Sequence, residues 1–126
     1  MKLLIDTHVL IWSATDQNSL PGRVREALAS WSNQVWVSAA AAYEIEFKRA
    51  RDPLLAQLPD DLDEAVTAQA FQWLAITQEH ARAAGRLPRL HSDPFDRILV
   101  AQAFNEGATL VTADRRITNY GANVLW

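Results

Sequence analysis

The sequence predicts an α/β fold in which a mostly parallel central sheet carries helices on its faces, and three observations lead there. Short apolar runs at Lys2–Ile5, 35–37 and Thr109–Val111 alternate with longer stretches of helical character. Each run is apolar at successive positions rather than at every second one, as a strand buried on both faces requires. Each also stops abruptly at a polar residue, Asp6, Ser38 or Thr112, of the kind that starts a helix or turn.

At 126 residues and 49% hydrophobic content, the chain is expected to form one domain over 1–126 around a single sheet. It has no cysteine, which excludes a disulfide framework and thiolate metal sites and suits a reducing compartment. The opening MKLLID meets an acid too soon to be a signal segment, and no apolar run is long enough to span a bilayer. A cytoplasmic protein with no membrane partner is therefore expected. The net charge of −3 argues against gripping nucleic acid by charge alone. Ten of the twelve cations are arginines, in groups at 49 and 51, at 82, 86 and 89, and at 115 and 116. Such groups read either as phosphate contacts or as solvated helix faces.

Along the chain, Thr7 is placed to cap a helix that begins with Val9, Leu10 and Trp12. Residues 17–22 form a polar break, with Pro21 near the start of a second helix over 23–31. Ser38 is placed to cap a third helix, in which Ala40, Glu44 and Phe47 share a face with Tyr43 beside them. Glu44 is thus an acid among apolar neighbours. An edge position paired with a nearby arginine accounts for it as well as a functional role does. Asp60, Asp61 and Asp63 open the next helix, where acids favour the dipole. Residues 71–76 read as a strand, with helix as the alternative. Thr77 caps a helix that stops at Gly85, and 123–125 form a last short strand.

The stretch HSDPFDRILVAQA, residues 91–103, turns directly from charge and proline into an apolar helix. Asp93 followed by Pro94 reads as an N-cap with proline at the first helical position. Asp96, Leu99, Val100 and Ala103 then follow at helical spacing, so the inward stripe begins with a carboxylate. Two readings are open: backbone donors at the helix start satisfy Asp96, or it faces a cavity and holds something positive.

In parallel sheets, ligands bind beyond the carboxyl ends of the strands. Asp6 and Asp114 fall at two such ends, Glu44 follows a third, and Asp96 heads the helix before a fourth. Four acids far apart in sequence are thereby expected to meet on one edge. Clustered carboxylates repel, so one should protonate unless a cation intervenes. A hard divalent ion, Mg²⁺ with Mn²⁺ as substitute, prefers carboxylate oxygens at about 2.1 Å and answers the need.

LLIDTH near the start, HSDPFDRILVAQA, and the tail LVTADRRITNYGANVLW together resemble the PIN-domain nucleases of the VapC toxin type, of the DPFDR subgroup, over nearly the whole chain. The resemblance implies a three-layer sandwich, a parallel sheet between helices. It implies a metal-dependent endoribonuclease that leaves a 5′ phosphate and a 3′ hydroxyl, with Mg²⁺ held at Asp6, Glu44, Asp96 and Asp114 and Asp93 as a fifth candidate ligand. It also implies the toxin of a type II toxin–antitoxin pair, whose partners are an RNA substrate, a cognate antitoxin and a second copy in a homodimer. One region departs from the family pattern: Tyr43 stands where a tryptophan often precedes the glutamate, and FKRARDPLL replaces a lysine-glycine-rich turn.

For phosphodiester hydrolysis the acids act as ligands of one or two ions rather than as nucleophiles. Thr7 and Thr112 read as orienting a carboxylate or a water, or as bonding only backbone. Arg97 reads as a phosphate contact or as a partner of Asp93 or Asp114. His8, His80 and His91 lack a zinc spacing, and each reads as structural or surface. No serine sits in a nucleophile elbow, and the four glycines are too scattered to cradle a phosphate. A receiver-like module phosphorylated on aspartate would need a lysine near the end of a late strand, whereas the lysines here are Lys2 and Lys48. A non-toxin PIN nuclease of RNA processing and a non-catalytic acidic-pocket binding module are the alternative functions. Finally, five tryptophans are many for one small core, so an exposed apolar patch for a partner is expected.

Overall fold

The computed structural model describes residues 1–126. Five strands, β1 (Lys2–Ile5), β2 (Gln34–Ser38), β3 (Gln72–Leu74), β4 (Thr109–Val111) and β5 (Val124–Leu125), pair in the order β3-β2-β1-β4-β5 with every pairing parallel. Leu3, Leu4 and Ile5 of the central strand are completely buried, because neighbours cover both faces of the sheet.

Alternation along the strands divides the core in two. Leu3 and Ile5 of β1, Val35 and Val37 of β2 and Val111 of β4 pack on one face. Over them lie α1 (Thr7–Thr15), α2 (Gly22–Ala29), α3 (Ala39–Lys48) and α4 (Leu62–Thr67), through residues such as Leu10, Val24, Ile45 and Val66. Leu4 and Leu110 point the other way, with Trp36 partly buried beside them. There they meet Leu99, Val100 and Ala103 of α6 (Pro94–Glu106) and Ile117 of α7 (Arg115–Thr118). Helix α5 (Gln78–Arg86) packs along α6. The result is helices, sheet, helices, the three layers expected.

The strand order fixes where a ligand fits. The chain runs outward from β1 through β2 to β3, then returns to the other side of β1 to form β4 and β5. Consecutive connections therefore leave the sheet in opposite directions at β1 and β4, and a crevice opens at their carboxyl ends.

Several local expectations change. Asp6, not Thr7, caps α1, since its carboxylate accepts the Val9 N–H while Thr7 is already helical. The third strand spans only Gln72–Leu74: the Phe71 N–H turns back to the Val66 carbonyl, and the Ala75 carbonyl accepts from the Gln102 side chain instead of a strand. Helix α7 is too short to show any periodicity in sequence. Of the tryptophans, Trp31 alone stands in solvent, 99% exposed, while the rest are partly covered. Trp12 rests on Trp126, and Trp73 donates to Asp63. The exposed aromatic group lies elsewhere, at Tyr43 and Phe47.

Arg97 pairs with neither Asp93 nor Asp114. Its guanidinium donates to the carbonyls of Ala84, Leu87, Pro88 and His91 at 2.8–3.3 Å and to the Tyr120 hydroxyl, which itself donates to His91. A planar fork of donors thereby fixes the segment between α5 and α6, which the point charge of a lysine cannot do. Arg97→Lys is expected to lower unfolding stability by about 2 kcal/mol, against under about 0.5 for the exposed Arg115→Lys, by urea titration. Equal values for the two would remove the clamp role.

Candidate active site

Four elements deliver carboxylates to the crevice. β1 ends at Asp6, which caps α1 with one oxygen, accepting the Val9 N–H at 2.9 Å, and accepts the Thr112 hydroxyl with the other. Thr112 follows β4 directly, and its hydroxyl oxygen also accepts the Asp114 N–H at 3.1 Å. Asp114 in turn caps α7. Helix α3 brings Glu44, whose two oxygens accept from the Thr7 hydroxyl at 2.6 Å and from Lys48 at 2.8 Å. Its cationic partner is therefore Lys48, one turn on, and not an arginine. At the head of α6, Asp93 caps through the N–H groups of Phe95 and Asp96, and Asp96 stands in the first turn.

Asp6, Glu44, Asp93, Asp96 and Asp114 all line one cleft of about 220 Å³, together with Thr7, His8, Lys48, Phe95 and Arg116. They are not equally close. The tightest grouping of ligand atoms is His91, Asp93 and Asp96, all within 4.8 Å of one another. His91 Nε2 lies 2.6 Å from Asp96 Oδ2, so this histidine is a structural support of a cleft carboxylate, although it lines a neighbouring cavity and not the cleft itself. Lack of a metal spacing hid it; the available signal was its place two residues before the Asp93 cap, on a segment that folds back over the helix start.

Electrostatics divides the acids. Burial pushes the Asp6 carboxyl up, and nearby Asp96 adds to this against the Thr112 and Val9 hydrogen bonds. Burial likewise pushes Asp96 up, helped by Asp93 and Asp114, while His91 opposes. At the rim the direction reverses. Burial would raise Glu44, but hydrogen bonds from Lys48 and Thr7 and the Lys48 charge outweigh it and hold the carboxyl low. The Arg116 side-chain bond holds Asp114 low. Asp6 and Asp96 are thus shifted toward the neutral form, which a neighbouring positive charge would oppose, whereas Glu44 and Asp114 already have a cation each.

Aromatic rings border the acids. Tyr43 stacks between Phe47 and Phe95, with centroids 5.9 and 5.3 Å away.

A parallel α/β sandwich with carboxylates gathered at its topological switch point is suited to holding a positively charged group. A model of the PIN domain matches residues 3–123, and the chain belongs to the PIN domain family. Among curated proteins it is similar to Ribonuclease VapC22 of Mycobacterium tuberculosis, 24% identical over 94% of this chain and 91% of that one. Among solved structures it superposes on VapBC2 from Rickettsia felis bound to a promoter DNA fragment, with TM-score 0.74 and 15% identity, over 99% of this chain and 98% of that one. DNA-bound VapBC from Salmonella typhimurium gives 0.73 and 17% over 99% and 97%, and FitAcB from Neisseria gonorrhoeae 0.72 and 17% over 98% and 96%. These structural likenesses establish the fold.

Because the folded protein favours the neutral form of Asp6, its ionisation destabilises the metal-free chain as pH rises from 3.8, the carboxyl's ordinary value, through the raised folded value. In chelator, Asp6→Asn should therefore melt higher than wild type at pH 7, with the gain vanishing below 3.8. A lower melting point at neutral pH would mean that the charged form is the one the fold stabilises.

Proposed function

We propose that this protein is a divalent-metal-dependent endoribonuclease and acts as the toxin of a toxin–antitoxin pair. The observation that carries the reading is the gathering of five carboxylates in one crevice, one of them, Asp96, bonded to His91. The one serine of the lining, Ser38, uses its hydroxyl oxygen to cap α3, and the chain has no cysteine. The similarity to Ribonuclease VapC22 supports it.

The donor set fits a hard cation. Its atoms are carboxylate oxygens, and burial and neighbouring carboxylates push two of the carboxyls, Asp6 and Asp96, up, a shift that a cation would oppose. Asp6, Asp96 and Asp114 would hold Mg²⁺ or Mn²⁺, with Glu44 and Asp93 completing the set. When bound, the ion supplies Lewis acidity to activate water and stabilise the leaving oxygen. The protein's own groups do the placing. Thr112 holds Asp6 and Asp114 in a fixed relation, Thr7 does the same for Glu44, and His91 orients Asp96. Lys48 and Arg116 sit at the rim, where an entering phosphate would compete with Glu44 and Asp114 for them. A cytoplasmic site of action, a cognate antitoxin and a homodimer complete the proposal.

Purified protein is expected to cut mixed RNA with Mg²⁺ or Mn²⁺ and to stop on chelation; cleavage that survives full chelation would contradict the mechanism. Asp96→Asn should abolish cleavage while the fold persists, whereas Asp93→Asn should mainly weaken the helix start, by about 1 kcal/mol or less. Full activity in Asp96→Asn, or greater damage from Asp93→Asn, would reverse that division of roles. Expression alone should slow growth, and co-expression of a small antitoxin encoded in the same operon should restore it. Harmless expression with intact cleavage would leave a nuclease of RNA processing, and no cleavage a binding module.

A further inference from the structure

The acidic cleft continues on both sides into aromatic surface. On one side Phe95 lines the cleft itself, and Tyr43 and Phe47 extend from it in a row whose adjacent rings are inclined by 28° and 14°. On the other, a cavity of about 350 Å³ shares Asp6, His8 and Asp114 with the cleft and is walled by Trp12, whose ring lies 5.8 Å from that of His8. Neither core uses Tyr43 or Phe47, which are 58% and 66% exposed on successive turns of α3.

Charge gives these rings a purpose. The chain is acidic overall, and the two cations at the cleft rim, Lys48 and Arg116, are already paired with Glu44 and Asp114. Apart from a cation held by the acids, a polyphosphate strand arriving there meets little uncompensated positive charge, so contacts to its bases are a needed source of affinity. Aromatic stacking supplies such affinity, accepts any base, and requires the base to be unpaired.

We propose that Phe47, Tyr43 and Phe95 form a stacking platform for unpaired nucleobases of the RNA strand whose phosphodiester lies over the acid cluster. The identity of the strand rests on the ribonuclease reading. Glu44 and Tyr43 are adjacent on one rigid helix, so a base seated on the row fixes the distance from that base to the acids. Duplex RNA keeps its base faces stacked internally and gains nothing from the platform.

The test measures affinity rather than cleavage. In an Asp96→Asn background with Mg²⁺ present, fluorescence anisotropy follows binding of a short, mixed-sequence, single-stranded RNA. Adding Tyr43→Ala with Phe47→Ala should weaken binding about tenfold with an unchanged melting temperature, and Tyr43→Trp should preserve it. Replacing successive nucleotides by abasic residues should weaken binding to the Asp96→Asn parent but cost the alanine variant little more. A duplex of the same sequence should bind both proteins equally and more weakly. No measurable binding by the parent, or equal affinity of parent and alanine variant, overturns the platform. So does unchanged RNA affinity with loss of self-association or of antitoxin binding on sizing, which makes the row a protein contact. If binding responds as expected while wild type cleaves nothing, the platform stands and the ribonuclease reading falls.

Discussion

The hydrogen bond from the Thr112 hydroxyl to the Asp6 carboxylate ties the ends of β1 and β4 together, and the acidic cleft depends on it. Both strands stop there because the next residue is polar, and neither polar group is left unpaired. Asp6 satisfies the Val9 N–H and receives Thr112, and the same hydroxyl receives the Asp114 N–H. One hydroxyl thereby sets two carboxylates from distant parts of the chain across the point where the sheet reverses direction. Replacing it by an apolar group would leave a buried carboxylate oxygen without a donor.

The price of this arrangement is mutual repulsion, and the fold distributes it unevenly. Glu44 and Asp114 each have a cation alongside. Asp6 and Asp96 have no lysine or arginine beside them: they feel one another and receive hydrogen bonds and one histidine. A sequence under selection for stability alone would place apolar residues at those two positions, as it does at Leu4, Val37 and Leu110 a few residues away. Departures from local rules of this kind are expected where function imposes them. Arg97 shows how much of the chain supports the arrangement: it spends its donors on backbone carbonyls to hold the segment that carries His91.

Much of the fold was legible because parallel strands and their caps are written locally. The runs at β1, β2 and β4 and the caps at Ser38, Thr77 and Asp93 follow from residue type and spacing. That Asp6, Glu44, Asp96 and Asp114 line one cleft was readable from their positions relative to strand ends, whereas Asp93 was expected there only through the family resemblance. What escaped depends on contacts between distant segments. His91 meets Asp96 only because Arg97 and Tyr120 bend the preceding segment back. The use of Arg97 on carbonyls, the early end of β3 at Gln102, and the choice of Asp6 over Thr7 as cap were equally out of reach. In the last case Thr7 is drawn away by Glu44, thirty-seven residues along the chain. The abundance of tryptophan pointed to exposed aromatic surface but not to its place, since Tyr43 and Phe47 supply it.

The central claim is that the inner carboxylates are arranged for a cation, and their placement and electrostatics give that claim a location. Anomalous diffraction from crystals soaked in Mn²⁺ tests it most directly. A strong peak among the carboxylates of Asp6, Asp96 and Asp114 is expected; no peak there, with Mn²⁺ bound only at exposed acids such as Asp60, would contradict it.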